Sequence, residues 1–558
     1  MTKSLQVSIF AGATLLLAGP TLADWTSDPS VNTTMVAAAN DQNQNITRVA
    51  PDGSLWMSYM DNSAGSGYKP TMQRFSACGL PLIAGNGVVM ANRTNTATFT
   101  YDMKVGADGS AYCVFDNSGI FLQKVNPDGT LAFGANGVAM PTMASLLGAR
   151  LAVAADGTVV VACGGSGSSG TIFFQRVNPN GTLGNAWTHV EASRAQVMSD
   201  LVSGNNAGDV IALWVRAEGT NSVTSRKGLK LQKYSSSNAG QWNGGVPIDV
   251  LISSTSRGLS TAYFPSITPD GSNGVIVAWF DGGTDRNAFV QHYSAAGVAR
   301  FPQNGIAISV TPGTSEYRLS ASVGYDAPSE SYVVAYQRSN PVQSQFGLGA
   351  QYLKWDGVSG SLQWGSGAGS TILPTTATTF QSSFVNCQRM PGGDSIITWI
   401  RFNGANTPVF IESTRLDSFG VPVWETPILV AATNPTGKSR LTVNTMTTSP
   451  SVLAVWGDGA TGNADLKAQL INYDGTLGRT CAPATCLADV AGDSLDTTRN
   501  PNGSVGAEDL DAFIGGFIAA NAAIADVASD SLDTTFNPNG SVGSEDLDAF
   551  IGAFIRGC

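Results

Sequence analysis

Short hydrophobic runs separated by turn residues recur along most of this chain. The stretch from Phe264 to Ser309 shows the pattern most clearly, because Gly, Asp, Asn and Pro divide its β-branched and aromatic runs. The runs are Ser266 to Thr268, Val275 to Phe280, Phe289 to Tyr293 and Ile306 to Ser309. This spacing predicts four short strands, and Asp270-Gly271 permits a tight hairpin between the first two.

A glutamine marks the same place in nearly every copy of this unit. The series consists of Gln73, Gln123, Gln175, Gln232, Gln291, Gln351 and Gln469, with Thr414 in the remaining slot. An internal repeat of four strands at intervals of roughly 50 to 60 residues is typical of a β-propeller. The eight copies therefore predict a mainly β, eight-bladed propeller, with seven blades as the alternative. We expect the glutamines to bond neighbouring backbone, because buried amides need partners.

The strand order within a repeat can be read from its first copy. Asn32 to Ala39 is predicted to supply the first strand, with later strands at Ser54 to Met60 and Thr71 to Phe75. Counted in this way, Asp-Gly turns such as Asp52-Gly53 join the second and third strands. The third strand ends in an aromatic residue at Tyr59, Trp214, Trp279, Tyr336, Trp399 and Trp456. We expect these aromatic residues to pack between adjacent blades.

Charged residues follow the aromatic position by two residues in seven repeats. They are Asp61, Asp116, Arg216, Asp281, Arg338, Arg401 and Asp458. The connections beyond them vary, from the short Asp116 to Gly119 to the long Arg216 to Lys227, and variable loops on a rigid scaffold often bind ligands. Two interpretations stay open. The charges are solvated or paired with nearby loops, or they form a ring that grips a glycan or protein ligand.

Residues typical of catalysis are sparse. The chain has two histidines, His189 and His292, and lacks GxSxG, HExxH and Walker patterns. A carboxylate pair for glycoside cleavage stays open, since acidic residues are numerous. The sequence favours a non-catalytic role without establishing one.

The N-terminus predicts export. Residues 1–23 combine Lys3, an apolar run from Val7 to Leu17 and a small-residue ending, which is typical of a secretory signal peptide. No later apolar run is long enough to span a bilayer. The mature chain is therefore expected to be secreted, extracellular or held at the cell surface.

The remaining domain boundaries follow from composition. The propeller is predicted over residues 24–480, and residues 481–486 form a linker that carries Cys481 and Cys486. The seven cysteines are an odd number, so at least one is unpaired or bonded to another chain. Cys113 and Cys163 are expected to be buried small hydrophobes.

Negative charge is concentrated at the C-terminus. Residues 487–558 hold 12 acidic and two basic side chains, out of a formal net charge of −11 for the whole chain. The propeller is nearly neutral. No basic surface is available to neutralise phosphates, so nucleic acid is excluded as an expected partner.

The acidic region is a tandem duplication. The segment from Ala488 to Ile518 recurs, with few changes, from Ala525 to Ile555. Each copy places apolar residues at helical spacing, at Leu510, Phe513, Ile514, Phe517 and Ile518 and again at Leu547, Phe550, Ile551, Phe554 and Ile555. The pattern predicts a loop and a helix in each copy, with the two helices packed together.

The loop before each helix carries oxygen ligands. In the first copy Asn500, Asn502, Gly503 and Asp509 fit positions 3, 5, 6 and 12 of a calcium loop. The second copy repeats them at Asn537, Asn539, Gly540 and Asp546. Position 1 is Thr498 or Thr535, so another carboxylate must fold back to complete the site. The candidates are Asp489, Asp493 and Asp496, and in the second copy Asp526, Asp530 and Asp533. We predict Ca²⁺ binding. The alternative is a solvated, helix-capping acidic cluster.

The duplicated loops, the NPNGS and EDLDAF motifs and the closing Gly557-Cys558 resemble a dockerin domain. The resemblance covers residues 487–558 and implies a small, all-α, EF-hand-like domain that docks onto a cohesin-like or surface scaffold protein. The main hypothesis is a secreted, non-catalytic binding protein displayed through this domain. The alternatives are a carbohydrate-active enzyme, either a glycoside hydrolase or a polysaccharide lyase, on the same scaffold, and a structural envelope protein.

Overall fold

A computed structural model of the chain shows its architecture. It describes residues 25–92, 101–143, 148–164, 170–260, 263–284, 286–312, 314–377, 382–402, 408–432, 437–446, 450–460, 462–479, 488, 490–491, 498–499, 507–529 and 538–556. One compact unit spans Trp25–Arg479. The described part of the C-terminal region belongs to a second unit.

The first unit is a ring of eight antiparallel sheets. Blade I contains β2 (Gln42–Val49), β3 (Leu55–Asp61), β4 (Lys69–Phe75) and β5 (Val88–Val89). Blade II contains β6 (Tyr101–Val105), β7 (Ala111–Asp116), β8 (Ile120–Val125) and β9 (Val138–Ala139). Blade III contains β10 (Arg150–Val153), β11 (Val159–Gly164), β12 (Thr171–Val177) and β13 (Leu183–Val190). Blade IV contains β14 (Gln196–Ser203), β15 (Val210–Ala217), β16 (Lys227–Tyr234) and β17 (Ile248–Leu251).

The other four blades continue the same order. Blade V contains β18 (Ile267–Pro269), β19 (Val275–Phe280), β20 (Ala288–Tyr293) and β21 (Ile306–Ala307). Blade VI contains β22 (Tyr317–Asp326), β23 (Ser331–Ser339), β24 (Gln345–Trp355), β25 (Gly360–Leu362) and an extra strand β26 (Ser370–Ala377) beside β24. Blade VII contains β27 (Ser382–Arg389), β28 (Ser395–Phe402), β29 (Pro408–Leu416) and β30 (Ile428–Ala431). Blade VIII contains β31 (Lys438–Thr445), β32 (Ser451–Ala460), β33 (Asn463–Asn472) and β1 (Thr33–Val36).

The eight-bladed prediction is confirmed, but the predicted role of the first strand is wrong. The segment Asn32 to Ala39 does not begin the first repeat, because β1 pairs with β33 and forms the outer edge of the last blade. Trp25 also forms a bridge with Arg479, which lies beyond β33. The two ends of the repeat region thus close the ring in one sheet, which the spacing of repeats cannot reveal.

Strand numbering changes as a consequence. The aromatic positions lie at the ends of the second strands, and the Asp-Gly turns join first to second strands, as Asp270-Gly271 does between β18 and β19. The strands predicted between Phe264 and Ser309 are all present, as β18 to β21. The error arose because the first repeat was counted from a strand that belongs to the last blade.

The aromatic positions pack between blades, as predicted. Each belongs to a hydrophobic cluster that joins its own blade to the preceding one; the six residues are Tyr59, Trp214, Trp279, Tyr336, Trp399 and Trp456. Trp279, for example, is fully buried against residues of blade IV that include Trp242. The core of the propeller is therefore divided into layers between neighbouring sheets, which are stabilised mainly by apolar burial.

The glutamine series lies on the third strands and bonds backbone, again as predicted. Gln291 donates from Nε2 to the carbonyls of Phe301 (3.0 Å) and Pro302 (2.9 Å). Its Oε1 accepts from the amide of Phe301 (3.0 Å). The buried amide thus fixes the connection from the third strand to the fourth.

A second repeated bond accompanies this glutamine. The next residue is basic in most blades and pairs with the acid of the first turn or its neighbourhood. The pairs are Arg74 with Asp52, Lys124 with Asp108, Lys233 with Asp209, His292 with Asp270 and Arg415 with Asp394. Several of these bases also reach the next blade, as Arg415 does when it donates to the Tyr473 carbonyl at 2.8 Å. These pairs stabilise the face that carries the Asp-Gly turns.

The C-terminal unit contains α1 (Ala507–Ile518), a short α2 (Ala522–Ala525) and α3 (Ser544–Arg556). The rings of Phe513 and Phe550 stack with centroids 3.8 Å apart, so the predicted packing of the two helices is confirmed. The apolar stripe is only partly buried, because Ile514 is 42% and Ile518 is 79% exposed. A short α2 between the two helices was not predicted.

The cysteines differ in state. Cys113, Cys163 and Cys387 are buried free thiols, as expected for the first two. Burial raises the pKa of the Cys163 thiol to about 12, so this side chain remains a neutral hydrophobe. Cys78 is disulfide-bonded to a partner outside the described residues. Within the described part of the chain, no helix is long and apolar enough to cross a membrane.

Candidate functional site: a pocket where the first and last blades meet

The first strands of blades I and VIII share a distortion near their beginnings. The pairing register shifts between Asn43 and Ile46 in β2 and between Ser439 and Thr442 in β31. Within these bulges Gln44 has a φ of 57° and Arg440 a φ of 52°. Left-handed conformations of such residues cost about 1–2 kcal/mol, and retained strain is characteristic of functional positions. The bulges re-aim side chains at the ends of two adjacent inner strands.

A cavity of about 420 Å³ opens between these two strands, and we call it the junction pocket. Its polar lining comes from Asp41, Asn43, Gln44, Lys438, Ser439 and Arg440. Gly459 and Ala464, at the ends of β32 and β33, complete the wall. The pocket lies on the face of the variable loops, because first strands begin there and second strands end there.

The carboxylate of Asp41 is already committed to the fold. It is 3% exposed and accepts hydrogen bonds from the Tyr68 hydroxyl (2.7 Å), Asn43 Nδ2 (2.5 Å) and the Ala464 amide (3.1 Å). The last bond ties blade I to blade VIII. Asp41 is therefore a structural member of the pocket wall, with its negative charge dispersed over three donors.

One cation of the pocket has an internal partner. Lys438 Nζ lies 2.6 Å from Asp458 Oδ1, and both side chains are almost fully buried. Burial lowers the pKa of Lys438, while the hydrogen bond and charge of Asp458 oppose that shift. The pair is neutral overall and leaves little charge for a ligand.

The other cation is Arg440, which has no such compensation. Burial lowers the pKa of its guanidinium group, which is partly buried in the wall. Among the residues that the structure describes, none forms an ion pair or hydrogen bond with this side chain. A partly desolvated guanidinium with free donors is an attractive site for a carboxylate or sulfate group, because it binds such groups in a bidentate manner.

The charged residues predicted at the strand ends do lie there, but each is bonded to nearby residues of the protein. Three carboxylates organise their own loops. Asp61 accepts from the amide of Ser63 at 3.0 Å, and Asp116 accepts from the amide of Gly119 at 3.2 Å. Asp281 is fully buried, accepts from the amide of Gly283 at 2.9 Å and pairs with Arg257.

The guanidinium groups of this series are also paired. Arg216 binds Glu191 (2.6 Å) and Glu218 (3.1 Å). Arg338 pairs with Glu316, and Arg401 lies 3.1 Å from Glu412. These contacts match the interpretation of charges paired with nearby loops. Of the seven predicted residues only Asp458 touches the junction pocket, through Lys438.

The second C-terminal copy brings three of its predicted calcium ligands to one loop. Asp526 accepts from the amides of Asn539 (2.9 Å) and Gly540 (2.6 Å). Asp546 accepts from the amides of Val527 (2.7 Å), Ala528 (2.8 Å) and Gly543 (2.9 Å). Among the described residues, Asp526 is the candidate carboxylate that folds back onto this loop.

The first copy repeats the part of this arrangement that is described. Asp509 is fully buried and accepts from the amides of Val490 (2.7 Å) and Ala491 (2.9 Å), as Asp546 does in the other copy. The remaining predicted ligands lie outside the described residues: Asp489, Asp493, Asp496, Asn500, Asn502, Asp530, Asp533 and Asn537. Each oxygen of Asp526 accepts one N–H and keeps a second lone pair for a cation. Oδ1 of Asp509 and Oδ1 of Asp546 each accept two N–H groups, so a cation can be bound by these two carboxylates only through Oδ2.

Sequence reasoning missed the main residues of the pocket, which are Asn43, Lys438 and Arg440. The run Gly437-Lys438-Ser439-Arg440 carries two cations at alternate positions of an inner strand, in a propeller with few charges. This local excess of positive charge was the feature of the sequence that could have indicated the pocket. The seven charged residues at the strand ends occupy a repeated position, whereas the combination of Lys438 and Arg440 does not recur in the other blades and is therefore harder to recognise.

Comparisons with known proteins assign no family to this chain. No protein-family profile matches this chain, and no curated protein sequence matches it. Among solved structures, an ulvan lyase of polysaccharide lyase family PL25, bound to an oligosaccharide, has a TM-score of 0.42 at 9% identity, covering 82% of this chain and 97% of that one.

Two further solved structures show a similarly low likeness to this chain. The Dos1 propeller has a TM-score of 0.43 at 10% identity, covering 81% of this chain and 94% of that one. The α-L-arabinanase of Penicillium chrysogenum, complexed with arabinobiose, has a TM-score of 0.32 at 10% identity, covering 59% and 93%. Function must be argued from the site, since propellers host many activities.

Proposed function

We propose that this chain is an exported, non-catalytic binding protein whose junction pocket holds an acidic sugar unit of a glycan. The observation that carries the proposal is Arg440, a partly buried guanidinium without a partner among the described residues, at the wall of a 420 Å³ cavity. A carboxylate or sulfate on the ligand replaces the water lost from this group. The free energy of that bond favours the bound state.

The rest of the lining favours a sugar over a hydrophobic ligand. Asn43 and Ser439 offer an amide and a hydroxyl, which suit the hydroxyl groups of a saccharide. One buried oxygen, Oδ1 of Asn43, has no hydrogen-bond partner among the described residues. A sugar hydroxyl that donates to this oxygen satisfies it, and such buried acceptors discriminate strongly between ligands.

A calcium-stabilised C-terminal module completes the proposed function. Asp526, Asn539 and Asp546 supply two carboxylates and an amide to one loop, and Ca²⁺ prefers such oxygen ligands. The module would attach the propeller to a cohesin-like or surface scaffold protein. The exposed side chains of Ile514 and Ile518 on α1 offer apolar contact area for that partner.

The glycan proposal is tested with the full-length protein by isothermal titration calorimetry. The ligands are an oligogalacturonate, a sulfated oligosaccharide and the neutral cellohexaose. We expect an acidic ligand to bind and cellohexaose to fail. Arg440→Gln should weaken binding about tenfold, because a charge-assisted hydrogen bond contributes about 1.5–3 kcal/mol.

A matched control is Arg226→Gln, which removes an exposed arginine elsewhere and should leave binding unchanged. Equal binding of cellohexaose, or normal binding by the Arg440→Gln variant, would show that the pocket is not an acidic-sugar site. The ligands recovered after titration are analysed by mass spectrometry. Shortened products would favour the carbohydrate-active enzyme instead.

A further inference from the structure

A second cavity, of about 440 Å³, opens on the opposite face of the propeller. Its lining comes from the ends of β2, β6, β10, β14 and β18, the first strands of five successive blades. First strands surround the axis of the ring, so this cavity is the mouth of the central channel on the face of the Asp-Gly turns. We call it the channel pocket.

The walls of the channel pocket are mainly apolar. Val49, Val105, Val153, Val202 and Ile267 occupy related positions near the ends of the five strands. Val202 and Ile267 are nearly buried, at 9% and 7% exposure, whereas the other three are partly exposed to the cavity. An apolar arc of this kind reduces its contact with water when it covers the hydrocarbon part of a ligand.

Two cations interrupt the apolar wall. Arg48 donates from Nη1 to the carbonyl of Thr47 at 2.7 Å, and among the described residues it has no acidic partner. This bond is to its own neighbour in the chain. The other donors of the guanidinium group therefore remain available to a ligand in the pocket.

Lys104 is the second cation, and it forms ion pairs with two carboxylates. Its Nζ is 3.6 Å from Asp102 Oδ2 and 3.5 Å from Asp200 Oδ1. Asp200 uses its oxygens to accept the amides of Leu201 and Ile267, each at 2.8 Å. Asp102 likewise accepts the amide of Leu151 at 3.2 Å. These acids connect neighbouring blades, and the two ion pairs engage two of the three N–H donors of Lys104, so one donor remains for another acceptor.

We propose that the channel pocket binds a small organic anion with an apolar body, of the aliphatic carboxylate class. The carboxylate accepts hydrogen bonds from Arg48 and Lys104, and the hydrocarbon covers the valine wall. A neutral sugar has no hydrocarbon part to cover the apolar wall and no charge for the cations. An inorganic anion has the charge but leaves the apolar wall exposed to water. The proposal is independent of the junction pocket, which lies on the other face and shares no residue with this one.

The test uses the full-length protein and ligand-observed NMR titration. The probes are hexanoate, butanoate, acetate and hexan-1-ol. Hexanoate should bind most tightly, with affinity falling about fourfold for each methylene removed, as expected for buried CH₂ groups. Hexan-1-ol should bind at least about tenfold more weakly, because it lacks the charge that both cations recognise.

Variants locate the site. Arg48→Gln and Lys104→Met should each weaken hexanoate binding about tenfold. Ser266→Trp, at an exposed rim position, should abolish it by filling the mouth of the pocket. Lys354→Met, which removes an exposed lysine on β24, and Arg440→Gln in the junction pocket are the controls and should leave hexanoate binding unchanged.

Circular dichroism and thermal unfolding establish that each variant is folded. If Lys104→Met does not fold, Arg48→Gln and Ser266→Trp decide the question. The proposal is overturned if hexan-1-ol binds as well as hexanoate, if no probe shows saturable binding, or if the Arg48 and Ser266 variants bind hexanoate like the parent protein.

Discussion

Copies of one four-stranded unit build the propeller, and they differ at most side chains, whereas the two C-terminal copies are nearly identical from Ala488 to Ile518 and from Ala525 to Ile555. In the propeller, six blades bury an aromatic side chain against the preceding blade, and most charges pair locally. In the C-terminal unit a small apolar core is combined with 12 acidic residues in positions 487–558. One unit is stabilised by distributed packing, and the other concentrates charge that needs a counterion.

This difference leads to opposite expectations for the two units. A core substitution in the propeller should reduce its stability without any effect of calcium. Calcium should act on the C-terminal unit and leave the propeller unchanged. Unfolding of the full chain should therefore show two transitions, one followed by tryptophan fluorescence and one by helical circular dichroism. The two signals are separate because every tryptophan lies before residue 480 and the α-helices of the described residues lie after residue 500.

The largest effect should come from Trp279→Ala. Trp279 is fully buried between blades IV and V, and its indole N–H has no hydrogen-bond partner among the described residues. The substitution therefore removes packing alone and should destabilise the propeller by about 3–5 kcal/mol. Urea unfolding followed by fluorescence measures this loss.

Phe419→Ala is the matched control, because this aromatic side chain is 79% exposed. It should change the free energy of unfolding by less than about 0.5 kcal/mol. An equal loss in both variants would contradict the conclusion that packing between blades stabilises the ring. A shift of the helical transition in Trp279→Ala would contradict the independence of the two units.

Calcium should produce the next largest effect. Neutral Asn539 reduces the ligand charge, so we expect a dissociation constant on the order of 10⁻⁴ M, as in extracellular modules. At calcium about tenfold above that value, each of the two sites should contribute about 1.4 kcal/mol, so the C-terminal unit should gain about 2.8 kcal/mol. Thermal unfolding followed at 222 nm, with calcium or with chelator, measures the gain.

Asp509→Ala and Asp546→Ala should each remove one site and about half of the response to calcium. Asp548→Ala is the control, because this acid lies two residues along α3 and is exposed. A helical transition that is the same in chelator and in millimolar calcium would leave the acidic residues as surface charge only. In that case the docking proposal would lose its chemical support.

Much of the fold was accessible from the sequence, because seven blades share a Gln, six share an aromatic residue and four share an Asp-Gly turn. The role of β1 could not be predicted from the sequence. The ring is closed by whichever end of the chain pairs with the last blade, and the spacing of repeats does not show which end that is. The partners of Arg216 and Arg338 were also hidden, because Glu191 and Glu316 lie at different sequence distances. These ion pairs join residues that folding brings together, and no constant sequence spacing predicts them.

The candidate sites were less predictable than the fold. Arg440 and Arg48 are distinguished by the lack of an acidic partner, and that property exists only once the chain is folded. The predicted calcium loop of the second copy shows the same limit. Three acids of the second copy could fold back, and only the backbone geometry places Asp526 against Asn539 and Gly540.

The joint between blades V and VI differs from the others because its base is a histidine. His292 is fully buried, with Nε2 3.0 Å from Asp270 Oδ2 and Nδ1 2.5 Å from the Tyr332 hydroxyl. The ring of Tyr325 contacts it edge-on, and the Arg300–Glu330 ion pair lies close enough to influence it. In blades I and II the equivalent bases are Arg74 and Lys124.

Acidification should therefore produce the smallest of the three effects, and only in the propeller. Burial lowers the pKa of His292 below its usual value, although the hydrogen bond to Asp270 opposes the shift. The unfolded chain takes up a proton at this imidazole as the pH falls below about 6.5, and the folded protein takes it up only at lower pH. Stability should consequently fall between pH 7 and pH 5, by at most about 1.4 kcal/mol per pH unit from this group.

The urea midpoints of unfolding at pH 7 and pH 5 measure this loss of stability, and the loss should be smaller in the His292→Gln variant. The helical transition should not respond in this range, because both histidines precede residue 480. A pH slope that is unchanged in His292→Gln would assign the effect to other groups.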